Sequence, residues 1–212
     1  MNRLIYVAVG LLFFATMFAQ PAYQPATEAQ KKEIVDKIIQ ASGTMKTMSC
    51  DFIQEKELSF MNEKVASEGK MLYKQPDKIR WEYTKPISYV FAMDGKNIFM
   101  DSGANQSRIP ARSSKLFNEI SNIIIGGVSG VGLIDSPDFT SQFGVGTTNY
   151  RVTLTPLKKE VQDLFSTIQL YVNKTDSRIN EVELIEKGGD KTLIRLKNMQ
   201  TNVTVNDEIF SR

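Results

Sequence analysis

Residues 68–101 read EGKMLYKQPDKIRWEYTKPISYVFAMDGKNIFMD, and this stretch decides the fold. Met71 and Tyr73, then Ile79, Trp81 and Tyr83, then Ile87, Tyr89, Phe91 and Met93, then Ile98 and Met100 occupy alternate positions. That is the period of two expected of strands with one apolar face. Pro76, Pro86 and the pair Asp94-Gly95 separate the runs, and Asp-Gly is a strong two-residue hairpin signal. Consecutive strands with such short links pair antiparallel, because a parallel crossover needs a dozen or more residues. The stretch therefore reads as one wall of a curved sheet. Its face of aromatic and Met side chains is either an ordinary core or the lining of an apolar cavity.

Outward from this wall, period-two patterning continues on both sides. Upstream, residues 46–58 and 64–74 form a long hairpin turning around Phe60-Met61-Asn62. Downstream, residues 148–155, 165–173, 179–187 and 191–197 alternate, with Gly188-Gly189 at one turn. About nine strands without intervening helices form a meander. So long a sheet curls to protect its edges. The expected class is α+β: an unclosed antiparallel β-barrel covered by an N-terminal helix and a helical lid insertion.

The first of these helices spans residues 27–41. Thr27 and Gln30 have the spacing of a capping box, Ile34, Val35, Ile38 and Ile39 form a stripe, and Gly43 ends it. The second follows Pro110, where Leu116, Phe117, Ile120, Ile123 and Ile124 share a helical face. Gly126, Gly127, Gly130 and Gly132 are expected to loosen the backbone after it, and residues 137–143 to form a short helix. An apolar helix tethered in this way has the properties of a plug that swings aside.

The chain begins MNRLIYVAVGLLFFATMFAQ. A basic residue, an apolar run from Leu4 to Phe18 and a polar break form the pattern of a secretory signal peptide. The run is shorter than the ~20 residues that span a bilayer. The expected organisation is a signal peptide at 1–19, cleaved after Ala19, and one domain at 20–212, exported to a Gram-negative periplasm. Residues 20–25 tether the two.

Composition excludes several classes of function. The chain has 212 residues, 26 basic against 24 acidic, one cysteine and no histidine. No Ser-His-Asp or Cys-His pair and no histidine metal ligand can form. Cys50 has no internal disulfide partner and reads as a small buried side chain. Glu55 with Glu57 and Glu181 with Glu183 each share a strand face. Glycoside hydrolysis instead places its two acids across a substrate. GGVSGVG at 126–132 lacks the Lys-Ser/Thr of a phosphate loop. There is no basic stripe interleaved with aromatics, so nucleic acid is a poor partner. The expectation is a protein that is no enzyme and uses neither cofactor nor metal.

Taken together, Gly69-x-Met71-x-Tyr73-x-x-Pro76, Arg80-Trp81-x-Tyr83-x-x-Pro86 and Asp94-Gly95-Lys96-x-Ile98, with Asp51-Phe52-x-Gln54 upstream, resemble the periplasmic outer-membrane lipoprotein carrier (LolA-like) family. The resemblance implies a monomeric periplasmic carrier that encloses the acyl chains of lipoproteins. It would collect them from an inner-membrane ABC transporter complex and pass them to an outer-membrane acceptor. By motif position it implies a cavity lined by Met71, Tyr73, Ile79, Trp81, Tyr83, Phe91, Ile98 and Met100, and a lid containing Leu116, Phe117, Ile120, Ile123 and Ile124. Family members carry an Arg before the Pro that follows the second strand, where it latches the lid to helix groups. Here that position is Gln75, which keeps hydrogen-bonding capacity but lacks the charge. The alternative on the same fold is a carrier or sensor of another lipid or glycolipid. An acyl chain gains ~0.8 kcal/mol per buried methylene, so any such carrier must supply an extensive apolar enclosure.

Overall fold

A computed structural model describes residues 22–60, 64–111, 115–130, 134 and 136–211, with the backbone alone for 115–121. The expected signal segment, the centre of the first hairpin turn and Gly132 lie outside the described residues. So do the side chains of Leu116, Phe117 and Ile120.

The chain opens with a short strand, β1 (Gln24–Pro25), and helix α1 (Glu28–Gly43). The capping box forms as the sequence requires. Thr27 Oγ1 accepts from the Gln30 N–H at 3.3 Å, and Gln30 Oε1 accepts from the Thr27 N–H at 2.9 Å. The meander then runs through β2 (Thr47–Glu57), β3 (Lys64–Lys74), β4 (Lys78–Lys85), β5 (Tyr89–Asp94), β6 (Asn97–Asp101) and β7 (Gln106–Pro110). Helix α2 (Lys115–Ser129) interrupts it. β8 (Phe139–Val145), β9 (Asn149–Pro156), the one-turn α3 (Lys159–Gln162), β10 (Phe165–Asn173), β11 (Ile179–Glu186) and β12 (Lys191–Thr201) complete it.

The described strands form one antiparallel sheet in the order β1-β8-β9-β10-β11-β12-β2-β3-β4-β5-β6-β7. β12 pairs with β2, so the two halves of the meander join through the middle of the sheet while its ends stay open. This is the α+β, unclosed, curved antiparallel sheet that the pattern implied.

Three local readings are corrected. Residues 137–143 form no helix: 137 and 138 make a turn, and β8 then runs from Phe139 to Val145, paired with β9. Phe139 and Phe143 then reach the core, while Thr140 faces solvent. Gly126 and Gly127 do not loosen the backbone but lie inside α2, where they are buried. Twelve strands are described where about nine were expected. The additional ones, β1, β7 and β8, include short edge pieces whose polar composition hides the alternation.

The apolar interior falls into two packed clusters. One joins Ile34 and Ile38 of α1 to Val152, Leu154, Ile168, Leu170 and Val172 of the β9–β10 half. The other joins Met48, Phe52, Met71, Tyr73, Ile79 and Ile98 of the β2–β6 half. α2 bridges them, since Ile123 belongs to the first and Val128 to the second. On the convex side, a 3-10 turn (Asp207–Phe210) packs against β4 and β5. Phe210 there is fully buried, as is Ala92 of β5.

Candidate ligand cavity

Between the two clusters lies an apolar cavity of about 360 Å³, within the ~300–1,000 Å³ range of ligand sites. Trp81, Tyr83, Phe91 and Met100 form one wall, and Val182, Leu184, Ile194 and Leu196 the other. α2 covers it with Ile123, Ile124, Gly127 and Val128. Gly127 brings the helix close to β11: a Cβ there would stand 3.7 Å from Val182 Cγ2.

The structure divides the eight expected lining residues. Trp81, Tyr83, Phe91 and Met100 border the cavity, whereas Met71, Tyr73, Ile79 and Ile98 are packed behind it at 2% exposure or less. Strand register explains the division for three of the four. Met71 pairs with Trp81, Trp81 with Phe91, and Phe91 with Met100, one row across the sheet in which only Met71 is packed away from the cavity. Tyr73, Ile79, Met93 and Ile98 make the next row toward the closed end. Gln54, Phe165, Thr192 and the β11–β12 side chains were not expected. Their alternation was legible, but only sheet closure through β12 and β2 brings them opposite Trp81.

An aromatic floor supports this row. The Phe52 ring lies 4.4 Å from Trp81 and 5.1 Å, edge-on, from Tyr83. Gly69 makes this possible. A Cβ there would sit 2.5 Å from Phe52 Cζ and 2.0 Å from the Glu82 carbonyl, so only glycine admits both the ring and the β4 backbone.

Burial on β2, β4, β5 and β6 grades in one direction. Along β4 it falls from Ile79 through Trp81 to a half-buried Tyr83, and along β6 from Ile98 to Met100. Along β2 it falls from Met48, Cys50 and Phe52 to Gln54. The cavity therefore opens toward the end of the barrel that holds the β2–β3, β4–β5 and β11–β12 turns. Near that mouth stand its few polar groups. Tyr83 Oη donates to Gln54 Oε1 at 2.9 Å, and Tyr89 and Thr192 join them. Burial pushes both the Tyr83 and Tyr89 phenols above their ordinary pKa, so they stay neutral donors. Trp81 Nε1 is buried without a well-formed hydrogen bond.

Gln75, the expected latch, reaches a helix carbonyl: its Nε2 donates to Ser42 O of α1 at 3.1 Å. The carboxylates considered for catalysis lie on the convex side, tied down. Arg195 bridges Glu55 at 3.0 Å and Glu181 at 2.8 Å, and Glu183 accepts from the Tyr171 hydroxyl. Among the described residues no cluster of acidic, Cys or His side chains could hold a metal ion. A second hollow, on the convex side between β6, β7 and the 3-10 turn, is walled by Arg80, Asp101 and Arg108. It offers charge where the inner cavity offers hydrocarbon.

A curved, unclosed antiparallel sheet wrapped around an apolar hollow and covered by helices defines a class of small-domain α+β proteins. Residues 43–212 match the family described as "Outer membrane lipoprotein carrier protein LolA", and the chain belongs to that family. It is similar to the outer-membrane lipoprotein carrier protein of Pseudomonas putida strain GB-1, with 24% identity over 212 residues, covering 100% of this chain and 94% of the relative. Its likeness to the protein of the same name from strain KT2440 is 26% over 210 residues, covering 98% and 92%. Among solved structures, an uncharacterized conserved protein of Thermus thermophilus shares the fold with a TM-score of 0.53, 12% identity and coverage of 86% and 93%. A LolA superfamily protein of Nitrosomonas europaea superposes with a TM-score of 0.46, 13% identity and coverage of 86% and 97%.

Proposed function

We propose that this protein is a periplasmic carrier of acylated lipoproteins, shuttling them from the inner to the outer membrane without covalent chemistry. It takes its cargo from an inner-membrane ABC transporter complex and yields it to an outer-membrane acceptor. The observation that carries this reading is the graded apolar cavity. Its walls are hydrocarbon and aromatic, its mouth bears neutral donors, and among the described residues nothing charged lines it. Acyl chains would lie against the row of Trp81, Phe91 and Met100. The ester and amide carbonyls that join them to a lipoprotein would meet Gln54, Tyr83 and Tyr89 at the mouth. Family membership and the names of the relatives support the cargo class.

On this reading α2 is the lid. It contributes Ile123, Ile124 and Val128 to the hollow, and its displacement enlarges the space for tails. Gln75 acts one step away, by holding α1. The deciding experiment adds purified protein to spheroplasts of its own host and probes the supernatant for acylated lipoproteins in complex with it. Stoichiometric release is expected. No release, with extractable lipid still bound to the protein, would transfer the cavity to a different lipid or glycolipid cargo.

A further inference from the structure

Among the described residues, large apolar side chains that the fold leaves outside are few, and several of them collect at one end. Phe60 is 79% exposed in the β2–β3 turn, Ile87 74% in the β4–β5 turn and Leu157 53% just after β9. Antiparallel pairing puts these three turns at the same end of the sheet, which is the end where the cavity opens. The β2–β3 hairpin also overhangs the mouth. The last β3 residue paired with β4 is Glu68, so Lys64 to Ser67 project beyond β4, a reach of about 13 Å at strand rise. Val65, on the concave face of that projection, is half exposed.

We propose that this rim docks on a phospholipid bilayer, with Phe60 and Ile87 as the inserting side chains. Exposed apolar groups around a polar rim mark interaction sites, and three features favour lipid over protein. The side chains stand singly on separate turns, and an acyl phase accepts isolated wedges without a complementary pocket. Four of the lysines at this end face a carboxylate: Lys64 with Glu57 at 3.4 Å, Lys85 with Glu68 at 3.0 Å, Lys56 with Glu186 at 2.9 Å and Lys187 with Asp163 at 3.5 Å. The rim is therefore not a basic patch seeking anionic headgroups, and its attachment is apolar. Finally, the mouth would meet the bilayer directly, so a transferred chain avoids exposing its methylenes to water. This last point rests on the carrier reading; the geometry does not.

The test is flotation of the purified protein with phosphatidylcholine vesicles, with and without phosphatidylglycerol, beside binding of a fluorescent apolar probe to the cavity. Wild type floats with both vesicle types and resists salt. The double variant Phe60→Ser/Ile87→Ser loses vesicle affinity at least about tenfold and keeps its probe affinity. Equal flotation of the double variant, or no flotation of wild type, overturns the proposal. Binding confined to phosphatidylglycerol and abolished by salt overturns it in favour of lysine electrostatics. Flotation only with the host's own inner-membrane vesicles overturns it in favour of a membrane-protein partner. Loss of probe binding by wild type would instead refute the carrier reading and leave the flotation result to stand alone.

Discussion

Gln75 Nε2 donates to the Ser42 carbonyl at 3.1 Å, tying the β3–β4 turn to the C-terminal end of α1. Ser42 O also accepts from the Met45 N–H at 3.0 Å, and Gln75 N–H donates to Lys46 O at 2.9 Å. The latch position thus holds the first helix, and α2 docks on that helix through Gly130 and Ile38. Gln75→Ala removes one partly buried hydrogen bond, worth about 1 kcal/mol. The melting temperature should fall by roughly 2–4 °C. Gln75→Leu, which cannot hydrogen-bond, should reproduce the fall; a melting temperature unchanged in both variants would show that the bond contributes nothing.

Gly130 ends α2 with φ +76°, and a Cβ there would stand 2.4 Å from Ile38 Cγ2. Gly130→Ala therefore meets both a left-handed backbone and a branched side chain. The expected loss is about 1–3 kcal/mol of unfolding free energy. Gly43→Ala is the control, because that site in α1 is open and alanine favours helix. Denaturant titration of the two variants should move in opposite directions.

Leu184 is half-buried on the cavity wall. Leu184→Asp sets a charge in a space whose described lining carries none, and a carboxylate there must stay solvated or protonate. Apolar-probe affinity should drop at least about tenfold, against a small change in melting temperature. Trp81 emission should shift when acylated peptide binds wild type. Unchanged emission at saturation would place the cargo elsewhere.

Asp207 accepts from Lys74 Nζ at 2.5 Å and Lys78 Nζ at 2.7 Å, and these bonds hold its carboxyl below the usual range. A carboxyl depressed in the folded state stabilises above its unfolded pKa, and that contribution is lost as pH falls through the folded value. The Asp207→Asn variant should melt below wild type near about pH 7. The gap should close in acid, as pH falls through the depressed folded value and the carboxyl protonates. A gap that persists in acid would assign the effect to packing of the C-terminal turn.

Cys50 is buried on β2, and burial, helped by the Asp51 charge, pushes its thiol up to about 12. A thiolate-seeking alkylating agent should leave it untouched at about pH 8 and label it fully on unfolding. Labelling of the native protein would report opening of the β2–β3 wall.

The sheet was legible because one face of each long strand is apolar and the period is two. β3 and β10 begin and end where the alternation does. Trp81 and its row were legible for the same reason. β7 and β8 were not, since QSRIP is mostly polar and in FTSQFGV Ser141 interrupts the face that Phe139, Phe143 and Val145 share. Their strand state comes from hydrogen bonds offered by β6 and β9.

The sequence by itself determined the antiparallel meander, the capped first helix, the absence of histidine chemistry and the apolar face of residues 71–100. These follow from local periodicity and residue type, which need no knowledge of neighbours. Tertiary structure decided which apolar residues fill and which enclose. Met71 and Ile98 share the face of Trp81 and Met100, yet the first two are packed core and the second two border a hollow. The physical reason is closure. Only when β12 joins β2 does Leu196 come opposite Trp81, and only when α2 lies across both clusters does the gap between them become a cavity. The first of these relations spans more than a hundred residues of chain and the second several tens, and no periodicity encodes them.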